Sequence, residues 1–406
     1  MNLIVIGAGA SGLMAAITAA GNGSRVIILE HKDKAGKKIL ATGNGKCNYT
    51  NKKMTDDCYR GNKDLIQHGL SVFNSNDAID FFTELGVISK EKNGYMYPNS
   101  GQATTILNSL IDEALRLGVR IVTECEISSI NHKKGEFIIK SNRGSYKAQK
   151  IIVAVGLLAS PKLGSDGSFL PFLKGFGHRF NPIVPALCGF NCDGFSFKKV
   201  SGVRTDASVT AIVNNKELCS DTGELQLTDY GLSGIPVFQI SRFLSMGLYE
   251  KADVKVKIDF MPEYSNEKLH NMLTELVEKS NGFKSWIQML SGLLNSKLST
   301  ALLEQTKINP IAIINIDKND IKKVDLLSTT IKSLIVNVKS YRDYEFAQVC
   351  AGGINSEEID IKTLESKLVP GMFFAGEILD VDGICGGYNL QWAWTSGYIA
   401  GLNAGK

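Results

Sequence analysis

Short apolar runs near both ends of the chain predict strands buried in a parallel sheet. Leu3–Ile6 leads into the glycine-rich turn Gly7–Gly12, and Arg25–Leu29 follows an alanine-rich segment. Apolar runs return at 151–156 and 372–377. Uninterrupted runs of this kind are typical of strands covered on both faces, and the alanine-rich segment fits a crossover helix. The pattern therefore predicts an α/β fold that begins with a β-α-β unit.

The middle of the chain has other periodicities. Residues 187–260 alternate apolar and polar positions between many turns, which predicts a small antiparallel sheet or barrel. Residues 264–305 carry apolar side chains at helical spacing, and strand-like alternation returns at 331–338 and 346–350. We therefore predict one domain built from both chain ends, interrupted by a β region that itself contains a helical insertion.

The turn after the first strand has the spacing G-x-G-x-x-G. Gly7 permits the tight turn, Gly9 lets a pyrophosphate approach the backbone, and Gly12 lets helix and strand pack closely. Free N–H groups and the dipole at the start of the helix favour an anion. Glu30 follows the second strand, where a carboxylate can accept hydrogen bonds from a ribose. These features predict a dinucleotide site.

Three later segments favour FAD over NAD as that dinucleotide. The run at 151–156 ends in Ala-Val-Gly, like the strand beside the cofactor in two-dinucleotide-binding flavoproteins, and Phe373–Glu377 resembles their C-terminal strand with Glu in place of Asp. Gly386–Leu390 begins the last helix, predicted to run from near Gly387 to Gly401. Its N-terminus would stabilise the negative charge of reduced flavin.

The sequence does not identify the electron donor. No second G-x-G-x-x-G occurs, so no separate NAD(P)H domain is expected. NAD(P)H then binds transiently at the flavin, or the substrate reduces the flavin and oxygen or another acceptor reoxidises it.

Composition excludes several other classes of protein. The chain has 406 residues, 44% of them hydrophobic, which is enough for two or three domains. The net charge of +4 is compatible with an anionic partner without indicating one. We expect no membrane span, because no run of 18 apolar residues occurs. We expect no signal peptide, because the chain opens directly into a core strand, and so predict a cytoplasmic protein. Eight scattered cysteines indicate reduced thiols and no metal site.

Three longer motifs together carry a family resemblance: Lys37–Asn51, Gly231–Gly234 and Glu365–Ala393. They resemble the FAD-binding family often labelled BaiN-like or the aminoacetone oxidase family, which includes proposed bile-acid enone reductases and flavin-dependent ribosomal-RNA dihydrouridine synthases. The resemblance covers essentially the whole chain. It implies a Rossmann-type FAD-binding domain of the two-dinucleotide-binding flavoprotein kind, with an inserted antiparallel β-barrel and a small helical subdomain.

The predicted domain boundaries follow from the patterns and the resemblance together. They are 1–185 and 346–406 for the two parts of the FAD-binding domain, 186–262 and 325–345 for the inserted β-barrel domain, and 263–324 for the helical subdomain.

The chain departs from the family pattern at three places. Lys46 stands where the family usually has Arg, which keeps the charge and loses the bidentate fork. Asp229 stands where a His usually precedes Tyr-Gly-Leu-Ser-Gly, and Leu157–Pro161 replaces Gly-Lys-Ser-Tyr-Pro. We expect these positions near the rim of the active site, so the substrate of any one member does not transfer directly to this chain.

The residues expected to bind FAD come from the segments just described. They are Gly7, Gly9, Ala10, Ser11, Gly12, Glu30, His31, Lys37, Lys38, Thr42, Gly43, Asn44, Gly45, Cys47, Asn48, Ile127, Ala154, Gly156, Gly376, Glu377, Asp380, Gly387, Tyr388, Asn389 and Leu390.

Cys385 is the first candidate for the catalytic proton donor, because a thiol near a helix N-terminus can have an adjusted pKa. Cys47 is the second, and for each the alternative is a small packed residue. Tyr388 either contacts the flavin or has a structural role. Asp382 either orients a donor or forms a turn.

The segment 31–53 holds seven lysines and one Asp. Lys37, Lys38 and Lys46 are expected to contact the cofactor or an anionic substrate, with a solvated basic loop as the alternative. Such a patch beside a flavin is also suited to an RNA backbone, although no RNA-binding module is recognisable.

The function expected from the resemblance is FAD-dependent reduction of an electron-poor C=C bond. Hydride would pass from flavin N5 to the β carbon and a proton to the α carbon. A uracil ring and a steroid or bile-acid enone both present such a bond. The broad distribution of the family and the basic chain favour uridine in ribosomal RNA. The alternatives are an oxygen-dependent oxidase of small amines such as aminoacetone, and a protein that holds FAD without catalysis.

Overall fold

The strands and helices follow one another along the chain in three blocks. In the computed structural model, which describes residues 2–316 and 318–406, the first block contains β1 (Asn2–Ile6), α1 (Ala10–Gly21), β2 (Arg25–Leu29), α2 (Lys37–Ala41), β3 (Thr50–Asn51), β4 (Tyr59–Gly61), α3 (Lys63–Val72), α4 (Ser75–Glu84), β5 (Ser89–Lys92), β6 (Tyr95–Pro98), α5 (Ala103–Arg116), β7 (Arg120–Val122), β8 (Ile127–Lys133), β9 (Glu136–Ser141), β10 (Gly144–Ala148), β11 (Lys150–Val153), α6 (Leu170–Gly175) and β12 (Phe180–Ala186).

The second and third blocks complete the chain. The second contains β13 (Phe190–Asp193), α7 (Phe197–Val200), β14 (Arg204–Val213), β15 (Lys216–Leu227), β16 (Gly231–Gly234), α8 (Ile235–Tyr249), β17 (Val254–Asp259), α9 (Asn266–Ser280), α10 (Trp286–Leu290), α11 (Ser296–Gln305), α12 (Lys318–Ser333) and β18 (Leu334–Tyr341). The third contains β19 (Val349–Ile354), β20 (Met372–Phe374), β21 (Val381–Gly383) and α13 (Tyr388–Ala404).

The described residues form two compact units. One combines the residues up to 183 with those from 348 to 406, and the other spans 184–347. The first unit is centred on a parallel sheet with strand order β20-β11-β1-β2-β7. Residues 3–6 and 151–153 are buried in it, because α1 and α13 pack against the sheet and the separate three-stranded sheet β10-β9-β8 also contacts β1 and β11. Two chain segments far apart in sequence therefore build one sheet.

The second unit is built around a closed barrel. Six strands pair in the order β13-β16-β15-β14-β17-β18, and β18 closes the ring by pairing with β13. The helices α9–α12 belong to the same unit. The predicted fold class is therefore confirmed: a Rossmann-type α/β domain, an antiparallel barrel and a group of helices. The finer domain boundaries drawn from the sequence stay predictions.

Some elements differ from the sequence-based expectation. α8 lies inside the stretch expected to be all β, with Val237, Ile240 and Leu244 on its buried side. These three residues follow the helical spacing i, i+3, i+7, but the strand-like alternation of the surrounding sequence hid it. The expected strand at 331–338 begins only at Leu334, because α12 continues to Ser333. The last helix runs from Tyr388 to Ala404, three residues past the predicted end. Among the described residues no helix is long and apolar enough to cross a membrane.

A buried polar network holds the segment that enters β20. His178 contacts Ser366 Oγ through Nε2 at 3.0 Å and Glu358 Oε2 through Nδ1 at 3.1 Å. The Ser366 hydroxyl oxygen also accepts the backbone N–H groups of Leu368 and Val369. Its own proton must therefore go to Nε2, which places the imidazole hydrogen on Nδ1. Burial lowers the pKa of His178, so the ring is held neutral.

The first and last helices of the chain meet through glycine. An ideal Cβ on Gly397 would lie 2.5 Å from Ser11 O, and one on Gly401 would lie 2.4 Å from Ala15 O. Both obstacles are backbone atoms, so a side chain would force the helices apart. The contact between α1 and α13 therefore requires glycine at these two positions of α13.

We predict that Gly401→Ala lowers the free energy of unfolding by about 1–3 kcal/mol, because α13 must shift away from α1. The measurement is denaturant unfolding of the full chain. The matched control is Gly21→Ala at the end of α1, where an added Cβ meets nothing within 4 Å. Equal stability of the two variants would contradict the proposed contact.

Candidate functional site

Four loops meet at one edge of the parallel sheet. Gly7–Gly9 follows β1, Glu30 follows β2, Ala154–Gly156 follows β11 and Ala375–Glu377 follows β20. Because the four strands are parallel neighbours, their carboxyl ends lie on the same side. β1 lies between β2 and β11, so the chain winds away from it in both directions. In open α/β sheets ligands bind in the crevice at such a point.

The turn after β1 leaves room for a ligand at one glycine only. Gly7 has φ +99°, and a Cβ on Gly12 would lie 2.0 Å from Gly7 O, so both positions are closed by backbone. A Cβ on Gly9 would meet nothing within 4 Å. The first intrahelical bond of α1 runs from Leu13 N to Gly9 O at 3.0 Å. The preceding N–H groups of Ala10, Ser11 and Gly12 have no helical acceptor and are available to an anion.

Glu30 is buried and fixed in orientation. Its Oε2 accepts the N–H of Ala8 at 2.7 Å, its Oε1 accepts the N–H of Lys32 at 2.8 Å, and His31 Nδ1 lies 3.3 Å from Oε1. A carboxylate oxygen has two lone-pair directions, so Oε2, which has one partner, retains capacity for a ribose hydroxyl.

A polar cavity of about 660 Å³ lies beside the residues that directly follow Glu30. It is lined by His31, Lys32, Asp33, Glu124, Glu126, Asn142, Arg143 and Asp166. Its size suits the adenosine end of a dinucleotide. Ile127, expected to contact the cofactor, is the first residue of β8 and directly follows one of the lining residues.

Carboxylates already pair with four of the seven lysines of segment 31–53. The pairs are Lys32–Asp166, Lys37–Asp33, Lys38–Glu377 and Lys52–Glu91. The partners outside the segment, Asp166, Glu377 and Glu91, offset part of the positive charge that the sequence suggested for an anionic partner. Lys46 is exposed.

Lys38 and Glu377 join segments that are distant in sequence. Lys38 Nζ donates to Glu377 Oε2 at 2.9 Å and to Ala159 O at 3.2 Å. Glu377 Oε1 accepts the N–H of Cys350 at 2.6 Å. Glu377 is therefore engaged by protein groups through both oxygens. The longer side chain of Glu, in the place where the resemblance implies Asp, is what spans these partners.

The segment from Thr42 to Asn48 has an unusual backbone. Gly43, Asn44, Gly45 and Cys47 all have φ between 52° and 80°, where side chains other than glycine are strained. Such strain is typical of functional loops. Asn48 Oδ1 is buried without a hydrogen-bond partner among the described residues. A bound ligand with a donor group would satisfy it.

The two candidate catalytic cysteines differ in how deeply they are buried. Cys47 is fully buried, and burial raises the pKa of its thiol to about 12, although a hydrogen bond with Thr42 acts in the other direction. Cys385 is half-buried and lies between β21 and α13. Of the two, Cys385 is accessible to a ligand in this structure.

The turn that contains Cys385 is fastened on both sides. Asn389 accepts the N–H of Gly383 through Oδ1 and donates to Gly383 O through Nδ2, both at 2.8 Å. Asn51 Nδ2 donates to Gly386 O at 3.0 Å. A Cβ on Gly387 would lie 2.9 Å from Asn48 Oδ1, so the start of α13 abuts the strained segment. The structure therefore brings together two motifs that the sequence separates by more than three hundred residues.

Tyr388 is hydrogen-bonded to other protein groups through both its hydroxyl and its backbone carbonyl. Its hydroxyl donates to Lys53 O at 2.9 Å, and the Tyr59 hydroxyl donates to Tyr388 O at 3.0 Å. Burial and the nearby Cys58 thiol raise the pKa of Tyr388 well above its ordinary range. Asp382, for which a turn was one expectation, lies instead in β21 opposite Arg60.

Several residues that hold the site were missed from the sequence. Thr50 Oγ1 donates to Gln391 Oε1 at 2.6 Å, Trp394 Nε1 donates to Tyr49 O at 2.8 Å, and Ser396 Oγ accepts the N–H of Gly376 at 2.8 Å. The signal was present in α13, where Gln391 and Ser396 are polar side chains next to large apolar ones. Buried polar groups need partners, so such residues indicate contacts with other segments.

The remaining predicted residues lie at the same edge or beside it. Ser11 Oγ donates to Ala375 O at 3.4 Å, and a Cβ on Gly376 would lie 2.4 Å from that hydroxyl. Ala154 donates its N–H to Ile6 O. Asp380 Oδ2 accepts from Asn181 Nδ2 at 2.7 Å. Leu390 lies in the first turn of α13.

The fold and this edge define a Rossmann-type flavoprotein oxidoreductase. The chain belongs to the HI0933-like family, whose model, described as the HI0933-like protein Rossmann domain, matches residues 1–403. The members of this family are FAD-dependent oxidoreductases.

Two relatives match along the whole chain. The 3-dehydro-bile acid delta(4,6)-reductase of Clostridium scindens is 40% identical over 413 residues and covers 100% of both chains. The ribosomal RNA dihydrouridine synthase of Haemophilus influenzae is 31% identical and covers 99% of this chain and 98% of its own.

A solved structure supports the fold. The 3-ketosteroid-delta4-(5alpha)-dehydrogenase of Rhodococcus jostii RHA1 superimposes with a TM-score of 0.50 at 15% identity, covering 100% of this chain and 96% of the other. At this identity the likeness concerns the fold alone.

Proposed function

We propose that FAD binds along the edge formed by the four loops. The N–H groups at the start of α1 hold the pyrophosphate beside Gly9, and Glu30 accepts from the ribose. The cavity next to Glu30 takes the adenosine end. Thr42–Asn48 and the start of α13 hold the flavin end. The open space at Gly9 and the unpartnered Asn48 Oδ1 support this placement.

We predict that Gly9→Val abolishes most FAD binding, because the side chain occupies the space kept open for the pyrophosphate. Gly9 has φ −78° and ψ −169°, which valine tolerates, so the fold should remain. The measurement is the flavin absorbance per chain after purification, with circular dichroism to verify folding. Gly21→Val, at the other end of α1, is the control. Full FAD occupancy in Gly9→Val would refute this placement.

The proposed reaction is the reduction of a C=C bond conjugated to a carbonyl. FAD, when bound, supplies the hydride. The N-terminus of α13 contributes positive potential where negative charge collects. Cys385 supplies the proton: it is half-buried beside that N-terminus, whereas Cys47 is sealed and the Tyr388 proton is donated to Lys53 O.

The proposed substrate is the enone of a steroid acid. The observation that carries this choice is the 40% identity, over both full lengths, to a bile-acid reductase. The sequence favoured ribosomal-RNA uridine because of the broad distribution of the family and the basic chain, but four of the seven lysines in segment 31–53 are paired with carboxylates. The relative that acts on ribosomal RNA is 31% identical. Uridine reduction is therefore the second candidate. NADH or NADPH is proposed as the transient donor.

We predict that the purified holoenzyme, reduced anaerobically, is reoxidised by 3-oxo-4-cholenoic acid much faster than by oxygen. Stopped-flow flavin absorbance gives the rates, and mass spectrometry identifies the saturated product. Cys385→Ala should slow reoxidation by the steroid by about 100- to 10,000-fold, because the general acid is lost. Reduction by NADH or NADPH should be unchanged in this variant.

Cys219→Ala, on β15 of the barrel, is the matched control and should behave as the wild type. Rapid reoxidation by oxygen with peroxide release, and no response to the steroid, would favour the amine oxidase instead. Reoxidation by a uridine-containing ribosomal RNA fragment alone would establish the second candidate.

A further inference from the structure

Two tyrosines of β6 lie beside both segments proposed to hold the flavin end. Tyr95 and Tyr97 are half-buried and alternate with the buried Met96, so their side chains leave the strand on the same side. An ideal Cβ on Gly386 would lie 2.8 Å from Cε1 of Tyr95, and one on Gly43 would lie 3.7 Å from Cε1 of Tyr97. One ring therefore lies against the turn before α13, and the other lies against the strained segment.

The strand that carries these tyrosines is fixed along both edges. β6 pairs with β3 on one side, where Asn51 lies opposite Tyr95, and with β5 on the other, where Lys90 lies opposite Tyr97. Asn51 Nδ2 also donates to Gly386 O at 3.0 Å, so a hydrogen bond joins β3 to the turn. All of these residues belong to the first compact unit, as does the edge of the parallel sheet. The placement of the two rings therefore involves the first unit alone.

Three neighbouring tyrosines use their hydroxyls within the protein. These hydroxyl contacts are Tyr49 with Ser89 Oγ at 2.6 Å, Tyr59 with Tyr388 O at 3.0 Å, and Tyr388 with Lys53 O at 2.9 Å. By contrast, among the residues that the structure describes, none forms a hydrogen bond with the hydroxyl of Tyr95 or of Tyr97. A half-buried phenol without a protein partner keeps its donor for a ligand or for solvent.

The pKa values of the phenols show which of them are neighbours. Burial raises the pKa of Tyr97, and the nearby Tyr95 phenol adds to this shift. Tyr95 also adds to the raised pKa of Tyr388, after burial and the Cys58 thiol. Tyr95 therefore lies between the other two phenols, and Tyr97 keeps its proton and remains a hydrogen-bond donor. Two adjacent hydroxyl donors on one strand are suited to converge on a single oxygen atom.

We propose that the hydroxyls of Tyr95 and Tyr97 bind the carbonyl oxygen of the substrate. When hydride adds to the β carbon, the electron pair of the C=C bond moves toward the carbonyl and places negative charge on its oxygen. Two donors on a fixed strand stabilise that charge without reorganisation. The α carbon then takes the proton of Cys385, the residue before Gly386, and the thiolate regains a proton from water. Both tyrosines keep their own protons.

This assignment rests on the proposed function and adds to it the groups that recognise the reacting carbonyl. The same two hydroxyls suit the ketone of a steroid enone and the carbonyl conjugated to the C=C bond of uracil, because both oxygens gain charge in the same way. The steroid serves as the probe, since it is the proposed substrate.

The test compares a ketone with the same acid lacking it. Calorimetry on the FAD-loaded, oxidised full chain measures the Kd of 3-oxo-4-cholenoic acid and of 4-cholenoic acid, which has no oxo group. In Tyr95→Phe and in Tyr97→Phe we expect the Kd of the 3-oxo acid to rise about 2- to 10-fold, because one hydrogen bond is lost. The Kd of the other acid should stay the same, and the double variant should bind the two acids alike.

The rate of reaction gives a second readout. Reoxidation of the reduced holoenzyme by the 3-oxo acid should slow about 10- to 1,000-fold in each single variant, because a hydrogen bond to the charged oxygen is stronger than one to the carbonyl. Tyr398→Phe is the matched control and should behave as the wild type. Tyr398 is half-buried in the same unit, and its ring stacks on Phe73 with the centres 4.7 Å apart. Thermal melting and flavin absorbance per chain verify folding and FAD content.

Several outcomes would overturn the assignment. They are equal weakening of both acids, an unchanged Kd and rate in both single variants, the same losses in Tyr398→Phe, or a wild type that does not distinguish the two acids. Loss of FAD from Tyr95→Phe or Tyr97→Phe would assign the hydroxyls to the cofactor instead. A 3-oxo acid that binds through both hydroxyls but is not reduced would leave the assignment standing and remove the proposed reaction.

Discussion

The site of this protein depends on backbone atoms of the two chain ends touching each other. α13 approaches α1 so closely that Gly397 and Gly401 face the carbonyl oxygens of Ser11 and Ala15. The same approach places Gly376 against the Ser11 hydroxyl. The start of α1, the end of β20 and the start of α13 are thereby fixed with respect to one another. A cofactor that spans all three needs this rigidity, since loops alone would have to be ordered on binding.

A second constraint is the way charged side chains around that edge of the sheet are paired. Lys38 and Glu377, both expected to bind the cofactor, pair with each other, and the Glu30 carboxylate is held by backbone N–H groups. These charged groups near the edge thus have protein partners before any ligand arrives. Helix N-termini add a positive potential from fixed dipoles, which need no reorganisation during a reaction. This explains how a lysine-rich segment can surround a site without forming a general surface for polyanions.

Much of the first unit was predictable because its rules are local. The spacing of Gly7, Gly9 and Gly12 between an apolar strand and an alanine-rich helix specifies a turn, and Glu30 follows from the length of one β-α-β unit. The features that could not be predicted from the sequence are long-range contacts and those that depend on burial. The pairing of lysines with distant carboxylates and the burial of Cys47 cannot be derived from the spacing of residues in the sequence, because the tertiary fold determines which groups lie next to them. α8 was missed since it lies within a stretch whose alternation of apolar and polar positions predicted strands, although it has 15 residues.

The motif Gly231–Gly234 is another case in which the sequence pattern did not reveal the tertiary contacts. It carried part of the family resemblance, yet its two glycines are explained by backbone contact within the barrel, where a Cβ would lie 2.4 Å from Phe190 O and 2.6 Å from Glu224 O. The contact next to it, between the Tyr230 ring and the Arg342 guanidinium, became visible only once β16 and β18 were placed on either side of β13.

The central claim is that one edge of the parallel sheet, completed by the start of α13, holds the flavin cofactor. A crystal structure of the purified holoenzyme tests it most directly. We expect FAD density with the pyrophosphate on the N–H groups of Ala10–Gly12 and the flavin ring system between Asn48 and the first turn of α13. Density for FAD anywhere else, with Gly9 and Asn48 left untouched, would contradict it.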